Sequence, residues 1–414
     1  MTTVLVLGAG MVGTCTAVHL AQRGHQVVLV DRREPGAETS YGNAGIIQCE
    51  AVEPHPFPRD LGTLVRAAWQ RDNAIHYHAN ALPQLAGPLF RYWANSGPRA
   101  YPGIARAYAS LIAHAIPEHA LLIEQAGADD LISRQGYGFV FRHPHTWRAG
   151  VARAQRLADT YGVRYTALDP EGLAAAEPAL TRRLAGGILW LDPWAVRNPG
   201  ELVGRYVRLL QRLGGVVAQG DATTLRQIGA GWQVDTVAGP VQAEHAVVAL
   251  GPWSEALLRP LGYRMPLFIK RGYHTHYRSQ QPPARPLLDA DHGLVIVPMQ
   301  QGVRITTGAE FAKLDAPATP VQMVRSRQLA GQLVALDGAV EPQPWLGARP
   351  CTADMLPVIG PAPRHRGLWL NLGHAHQGFT LGPASGRLLA DLLEGDTPRL
   401  DPKPYLPARF AGHG

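Results

Sequence analysis

The chain has 414 residues, of which 46% are hydrophobic and 17% charged, and carries a formal net charge of +7 at pH 7. That length allows a large core divided into two structural units around one cleft, and no apolar run approaches the roughly 20 residues that cross a bilayer. The positive charge is almost all arginine, with lysine only at Lys270, Lys313 and Lys403, and the arginines are scattered and form no stripe, which speaks against nucleic acid as a partner. An anionic substrate or a membrane surface remains compatible with the charge. Cys15, Cys49 and Cys351 show no paired spacing, and the N-terminus runs straight into an apolar strand pattern without a leader. Both features predict a reducing, cytoplasmic setting.

Residues 4–13 read VLVLGAGMVG, and Asp31 closes the next apolar run, VVLV. The pattern predicts strand, glycine turn, helix and second strand. Gly8 permits the tight turn, Gly10 lets backbone approach a pyrophosphate, and Gly13 lets the helix pack on the strand. The helix N-terminus offers N–H groups to phosphates. Asp31 accepts hydrogen bonds from ribose hydroxyls and repels a 2′-phosphate. An ADP-ribose-like group, as in FAD or NAD, is the expected ligand; the bland alternative is a strand, turn and helix that hold nothing. The loop EPGAETSYGNAGIIQ follows, its small residues suited to close approach or to plain surface.

From about 60 to 126 the apolar spacing predicts mostly helix. Within it, FPRDLGTLVRAAWQR (57–71) places Leu61, Leu64, Val65, Ala68 and Trp69 on one face. A helix packed on the protein and a helix lying on a membrane surface both satisfy that pattern. GYGFVFR (136–142) reads as a strand, 148–161 as a helix, VRYTAL as a strand, and Asp169 as the cap of a short helix opened by Pro170. GGILWL, VVAQGDATTLRQI and GWQVDT are predicted strands, separated by the amphipathic helix PGELVGRYVRLLQRLGG. AVVALGPWS (246–254) repeats the opening theme, an apolar strand running into a glycine, Gly251. Strands are expected at 266–278, 293–299 and 302–309, then a helix at about 320–336, with an irregular tail after Pro402. The pairs His76/His78, His274/His276 and His374/His376 share strand faces, but no third ligand stands at familiar spacing, so no metal site is predicted.

Strands and helices alternate at both ends of the chain, while the middle mixes helices with strand pairs. The expected fold is α/β and α+β, a Rossmann-type nucleotide-binding domain interleaved with a mixed-sheet substrate domain. The nucleotide domain is assigned to 1–55, 195–255 and 343–414, and the substrate domain to 56–194 and 256–342.

The C-terminal stretches LGARPCTADMLPVIGP (346–361) and LWLNLGHAHQGFTLGPASGRLLADLLEG (368–395) resemble the closing segments of FAD-dependent amine oxidoreductases. With ETSYGNAG (38–45) and PLFIKRGYHTHY (266–277), the pattern is most similar to the bacterial D-amino acid dehydrogenase family, within the D-amino acid oxidase and glycine oxidase superfamily. The resemblance runs from residue 4 to about 407 and is thin between 55 and 135. It implies FAD as cofactor. Gly8, Gly10, Gly13 and Asp31 would hold its adenosine and pyrophosphate, and Arg32 would pack on adenine or ribose. Thr39, Ser40, Asn43, Ala44 and Gly45 would pass over pyrophosphate and flavin, Ala222 would meet the adenine by its backbone, and Gly251 would lie along the dinucleotide. Gly373, His374, Gln377, Gly378, Phe379 and Thr380 would border the isoalloxazine. Independently, the helix starting near Thr380 presents N–H groups where a reduced flavin gathers negative charge, worth about 0.3–1 kcal/mol when exposed and up to about 2 when partly buried.

The resemblance further implies that Arg349, in a GLRP-like motif, pairs with a substrate carboxylate through a two-point fork. Tyr273 is expected either to donate its hydroxyl to that carboxylate or to pack. His376 departs from the family's usual residues at this place and leaves the substrate side chain open. Some sarcosine oxidases attach their flavin through a cysteine in this neighbourhood; counted back from Asp354 that cysteine would fall at Gly347, so FAD is expected to bind noncovalently and Cys351 to be a small buried residue. The expected reaction is oxidative deamination of an amino or imino acid, D-configured by resemblance, with hydride passing from the α-carbon to flavin N5 and an imine hydrolysing to the keto acid. An N-methyl amino acid or 2-hydroxy acid oxidoreductase, and a nucleotide-binding protein without turnover, are the alternatives. Quinone, a protein and oxygen all stand as electron acceptors, and the inner membrane face stands beside the cytoplasm as a location.

Overall fold

The run TVLVL is buried from Val4 onward and forms the strand Thr3–Leu7, in parallel register with Gln26–Asp31 on one side and His245–Val248 on the other. Near-continuous β-branched and leucine runs suit strands covered on both faces. The structure is a computed structural model that describes residues 1–60, 62, 73 and 75–410. Among these, an eight-stranded sheet has the order Gly239–Ala243, Gly231–Thr236, Val216–Ile228, Gln26–Asp31, Thr3–Leu7, His245–Val248, Leu368–Leu372, Val358–Pro361. Its centre is parallel and its two edges are antiparallel.

A second, mixed sheet holds ten strands, centred on the long strand Leu267–Tyr277, which pairs with Trp345–Thr352 and Gly302–Thr306. A small third sheet joins Ile46–Ile47, Trp194–Val196 and Ile132–Ser133, and so links the loop after the first β-α-β unit to the rest. The interleaved α/β and mixed-sheet architecture expected from the sequence is the one observed.

The helix Met11–Gln22 lies against the C-terminal helix Gly378–Glu394, and two glycines set their closeness. A Cβ on Gly382 would fall 2.7 Å from Met11 Cγ, and one on Gly386 would fall 2.8 Å from the Thr16 amide nitrogen.

Several elements depart from the sequence pattern. Ile75–Tyr77, inside the stretch read as helical, is a strand paired in parallel with Ala309–Phe311. The helix expected to 336 ends at Ala330, followed by Gly331, and Val334 instead forms an isolated bridge with Leu180. The helix expected from 148 begins at Pro144, whose fixed φ suits a first turn. The tail after Pro402 carries two short 3₁₀ turns, and Arg409 there pairs with Asp354 at 2.7 Å. Of the face proposed for a membrane, Leu61, Leu64, Val65, Ala68 and Trp69 lie outside the described residues. Among the described residues, no helix is long and apolar enough to cross a membrane.

Candidate active site

One cavity of about 1300 Å³ runs from the end of the first strand to the second sheet. It exceeds the roughly 300–1,000 Å³ of small-molecule pockets. Gly8 ends the strand at φ +106, and a Cβ there would press to 2.5 Å from the Ala249 carbonyl oxygen. Gly13 is equally bound to lack a side chain, because its Cβ would sit 1.8 Å from the Gly8 oxygen. Gly10 precedes the helix, and Ser40 Oγ accepts the Met11 N–H at 2.9 Å, so the loop 38–45 closes onto the helix start. Asp31 Oδ2 accepts the Ala9 N–H at 2.7 Å and Oδ1 accepts the Arg33 N–H at 3.0 Å. These bonds fix the carboxylate and leave further lone pairs for a ligand.

Of the residues expected to touch the dinucleotide, Gly8, Gly10, Asp31, Arg32, Thr39, Ser40, Asn43, Ala44, Ala222 and Gly251 line the cavity. Arg32 lies over the Trp253 ring at 4.6 Å and 3.5 Å from Glu38. Thr39 Oγ1 donates to the Ala348 carbonyl at 3.1 Å, tying the loop to the strand that carries Arg349. Gly13 and Gly45 lie behind the wall. Gly45 has φ +63, and a Cβ there would meet the Val196 oxygen at 2.4 Å.

The loop has an anchor that the sequence did not disclose. Arg304, 2% exposed, donates from one nitrogen to the carbonyls of Tyr41, at 2.9 Å, and Asn43. Its Nε donates to His276 Nε2 at 3.0 Å, and His276 Nδ1 in turn donates to Glu341. That chain fixes the neutral tautomer of His276 with its proton on Nδ1. Burial pushes the Arg304 guanidinium down to about 10.

At the other end, Gly373, His374, His376, Gly378 and Phe379 line the cavity together with Arg349 and Tyr273. Gln377 and Thr380 stand behind them. Gln377 Nε2 donates to Gln48 Oε1 at 2.7 Å, and Thr380 Oγ1 donates to the Ile46 carbonyl at 3.2 Å. The Gly378–Glu394 helix begins two residues before Thr380, so Gly378 and Phe379 bring its N-terminus to the cavity wall. Thus two helix N-termini face one space. His374 Nε2 and Asn371 Oδ1, both on cavity-lining residues, are buried without a hydrogen-bond partner among the described residues. Burial holds the His374 imidazole down at about 3, so it meets the cavity neutral. A long cavity with an anchored carboxylate and one helix N-terminus towards one end, and a second helix N-terminus with unmatched polar atoms towards the other, fits an extended dinucleotide carrying a polar ring.

Arg349 is enclosed and nearly unpartnered. Its only described hydrogen bond is a long one, 3.4 Å from Nη1 to the Gly308 carbonyl, and no carboxylate pairs with it among the described residues. Gly272 makes its room, since a Cβ there would fall 2.4 Å from Nη2. Burial draws its pKa below the usual arginine range. His376 is pushed well down by enclosure and then by His55, Arg349 and Lys270, and its ring lies 5.3 Å from that of His55.

Of the two roles open to Tyr273, the hydrogen bonds among the described residues favour packing over a substrate contact. Its single O–H proton is used on Glu310, 3.1 Å away, and its oxygen accepts the Thr319 N–H at 2.7 Å. Glu310 also pairs with Arg271 at 2.6 Å. His76 and His78 converge on the same carboxylate, giving three groups at metal-ligand spacing, but Glu310 is already neutralised by Arg271. The sequence reading also missed Glu50. It lines the cavity, accepts from Gln48 Nε2 at 2.7 Å, and burial pushes its carboxyl up to about 7. Cys351 is buried and its thiol is pushed up by burial, which makes it a weak nucleophile.

Residues 3–392 match the family model described as FAD dependent oxidoreductase. The chain is 30% identical to a D-amino acid dehydrogenase of Methylobacterium sp. (strain 4-46) over 434 residues, covering 98% of this chain and 99% of that one. It is 30% identical to a D-amino-acid oxidase of Bradyrhizobium diazoefficiens over 419 residues, covering 98% of each. Among solved structures, glycine oxidase from Geobacillus kaustophilus superposes with a TM-score of 0.74 at 21% identity, over 98% of both chains. The cradle at Gly8–Asp31, the second helix N-terminus at Gly378 and the family match agree: the chain belongs to the FAD dependent oxidoreductase family, and FAD is its cofactor.

Proposed function

We propose that this enzyme oxidises the carbon–nitrogen bond of a D-configured amino or imino acid whose α-carboxylate sits on Arg349. The observation that carries the reading is the enclosed Arg349 guanidinium, which lacks a carboxylate partner among the described residues and lines the cavity. Buried charges are ordinarily paired, so an anion from outside the chain is the natural complement. The names of the relatives at 30% identity support both the amino acid and its handedness.

Arg349 binds the carboxylate in a fork and so fixes the orientation of the α-carbon. FAD, when bound, supplies the two-electron acceptor that takes the α-hydrogen as hydride. His376 and His374 stay neutral and add no charge beside the reacting carbon. Tyr92, Phe268 and Phe311 wall the same end and exclude water. The imine formed from a primary amine then takes up water and releases keto acid and ammonia, whereas a cyclic imino acid gives a cyclic imine. Gly8, Gly10, Asp31, Ser40, Asn43 and Ala44 hold the dinucleotide within an FAD-binding domain of 1–55, 195–255 and 343–414, and 56–194 with 256–342 form the substrate domain, to whose sheet the strand Trp345–Thr352 also pairs. FAD binds noncovalently: Gly347 lies against Trp345, where a Cβ would fall 2.0 Å from the indole, and burial raises the Cys351 thiol and so disfavours its thiolate.

The test is anaerobic bleaching of the bound flavin across D- and L-amino acids, cyclic imino acids, N-methylglycine and 2-hydroxy acids. Bleaching by D-amino or imino acids is expected. Bleaching by 2-hydroxy acids alone would replace the reading, and a flavin that no substrate bleaches would end it. Release of intact FAD on acid precipitation checks the noncovalent assignment.

A further inference from the structure

Lys270 stands directly across the strand pair from Arg349, in the antiparallel register of Leu267–Tyr277 with Trp345–Thr352. Side chains opposite one another on such a pair share a face, with Cβ atoms about 4.5–5.5 Å apart. Both residues line the cavity. The Lys270 ammonium lies 4.6 Å from the Tyr92 ring centroid, 5.4 Å from Phe268 and 5.6 Å from Phe311. It donates to the Tyr92 hydroxyl at 3.5 Å, and the Tyr92 proton is itself used on the His55 carbonyl.

An ammonium has three donors, and here one is spent on a long, neutral contact. The aromatic faces favour the charged form but bring no counter-charge. Burial, and Arg349 beside it, lower the Lys270 pKa, and no carboxylate offsets them among the described residues. Two acids line the same cavity, and neither pairs with Lys270 among the described residues. Glu53 forms two 2.7 Å bonds with Arg156, and Glu50 accepts from Gln48. Two like charges opposite one another on a strand pair destabilise the sheet unless something compensates them. One α-carboxylate neutralises one of the two cations and leaves the other.

Resting on the amino acid oxidation reading above, we propose that the substrate is a dicarboxylic amino or imino acid, with its α-carboxylate on Arg349 and its second carboxylate on Lys270. Neutral His55 and His376 beside the two cations leave the charge at this end positive, so an anionic side chain is selected over its amide.

The experiment uses the FAD-loaded enzyme. Binding of malonate and succinate is compared with that of propionate and butyrate by perturbation of the visible flavin spectrum. Turnover of D-aspartate and D-glutamate is compared with that of D-asparagine and D-glutamine. The dianions and acidic substrates are expected to win by about tenfold or more in Kd and kcat/KM. Lys270→Met should collapse both ratios towards one, and Lys270→Arg should keep them. Equal binding of mono- and dicarboxylates, or a Lys270→Met effect of the same size on acidic and amide substrates, overturns the proposal. The binding ratio is read whether or not turnover occurs. Absence of flavin reduction by every amino acid therefore defeats the reaction assigned above, while the ratio still decides the two-carboxylate site.

Discussion

Gly386 packs against Thr16 so closely that a methyl group there would meet the Thr16 amide nitrogen at 2.8 Å and the Cys15 carbonyl carbon at 2.9 Å. This contact crosses the two helices whose N-termini both reach the cavity. Backbone cannot yield as a flexible side chain can. Gly386→Ala is therefore expected to destabilise the protein by about 1–3 kcal/mol through overpacking, and to weaken FAD retention. Thermal melting and FAD titration of the variant check this, and an unchanged melting temperature would refute the role given to the contact.

Arg349→Gln removes the cation while keeping a polar side chain. If the guanidinium pairs with the substrate carboxylate in a desolvated site, kcat/KM should fall by about 2–5 kcal/mol, with the flavin spectrum intact. Steady-state kinetics on holoenzyme measure it. A loss below about threefold would place the carboxylate elsewhere.

Arg304→Met leaves the Tyr41 and Asn43 carbonyls and His276 Nε2 without their donor. Each buried polar group left unmatched costs about 1–3 kcal/mol. The expected readout is a weaker FAD complex, because the loop over the cavity loses its anchor, while Arg304→Lys recovers part of the affinity. Wild-type FAD binding by the methionine variant would show the loop to be held by other contacts.

Glu50 sets a pH dependence. Its carboxyl is raised from 4.5 to about 7 by burial, so the folded protein binds this proton more tightly than the unfolded chain. Stability contributed by the protonated form is present below about 4.5 and is lost as pH rises through about 7. Glu50→Gln removes the titration. Relative to wild type, the variant should gain up to about 3 kcal/mol between pH 5 and pH 8, read from melting curves across that range. A wild-type-to-variant gap that stays constant with pH would contradict a buried, titrating Glu50.

The first β-α-β unit, the cap at Asp169 and the strand around Lys270 were legible in the chain because glycine, proline and β-branched residues act on their immediate neighbours. Gly8 and Gly13 could be assigned for the same reason, since the backbone itself excludes a side chain there. Lys270, Arg304 and Glu50 were not legible as site residues. A buried charge is defined by what it meets, and Arg304 meets Tyr41 across 263 positions of sequence and His276 across 28. Tyr273 shows why the sequence left two roles open. A tyrosine on that strand can serve substrate or pack, and only tertiary pairing brings in Glu310 and Thr319, which take up its hydroxyl. Ile75–Tyr77 lies within a stretch expected to be mostly helical, and three residues are too few for alternation to mark a strand against the helical spacing around them.

The bond from Arg304 to the 41–43 backbone makes the glycine loop an extension of the larger sheet. Strand Gly302–Thr306 pairs directly with the strand that carries Lys270. Redesign of the substrate end will thus be felt in how firmly the dinucleotide is gripped, and libraries aimed at new substrates should be screened for flavin content before they are screened for rate.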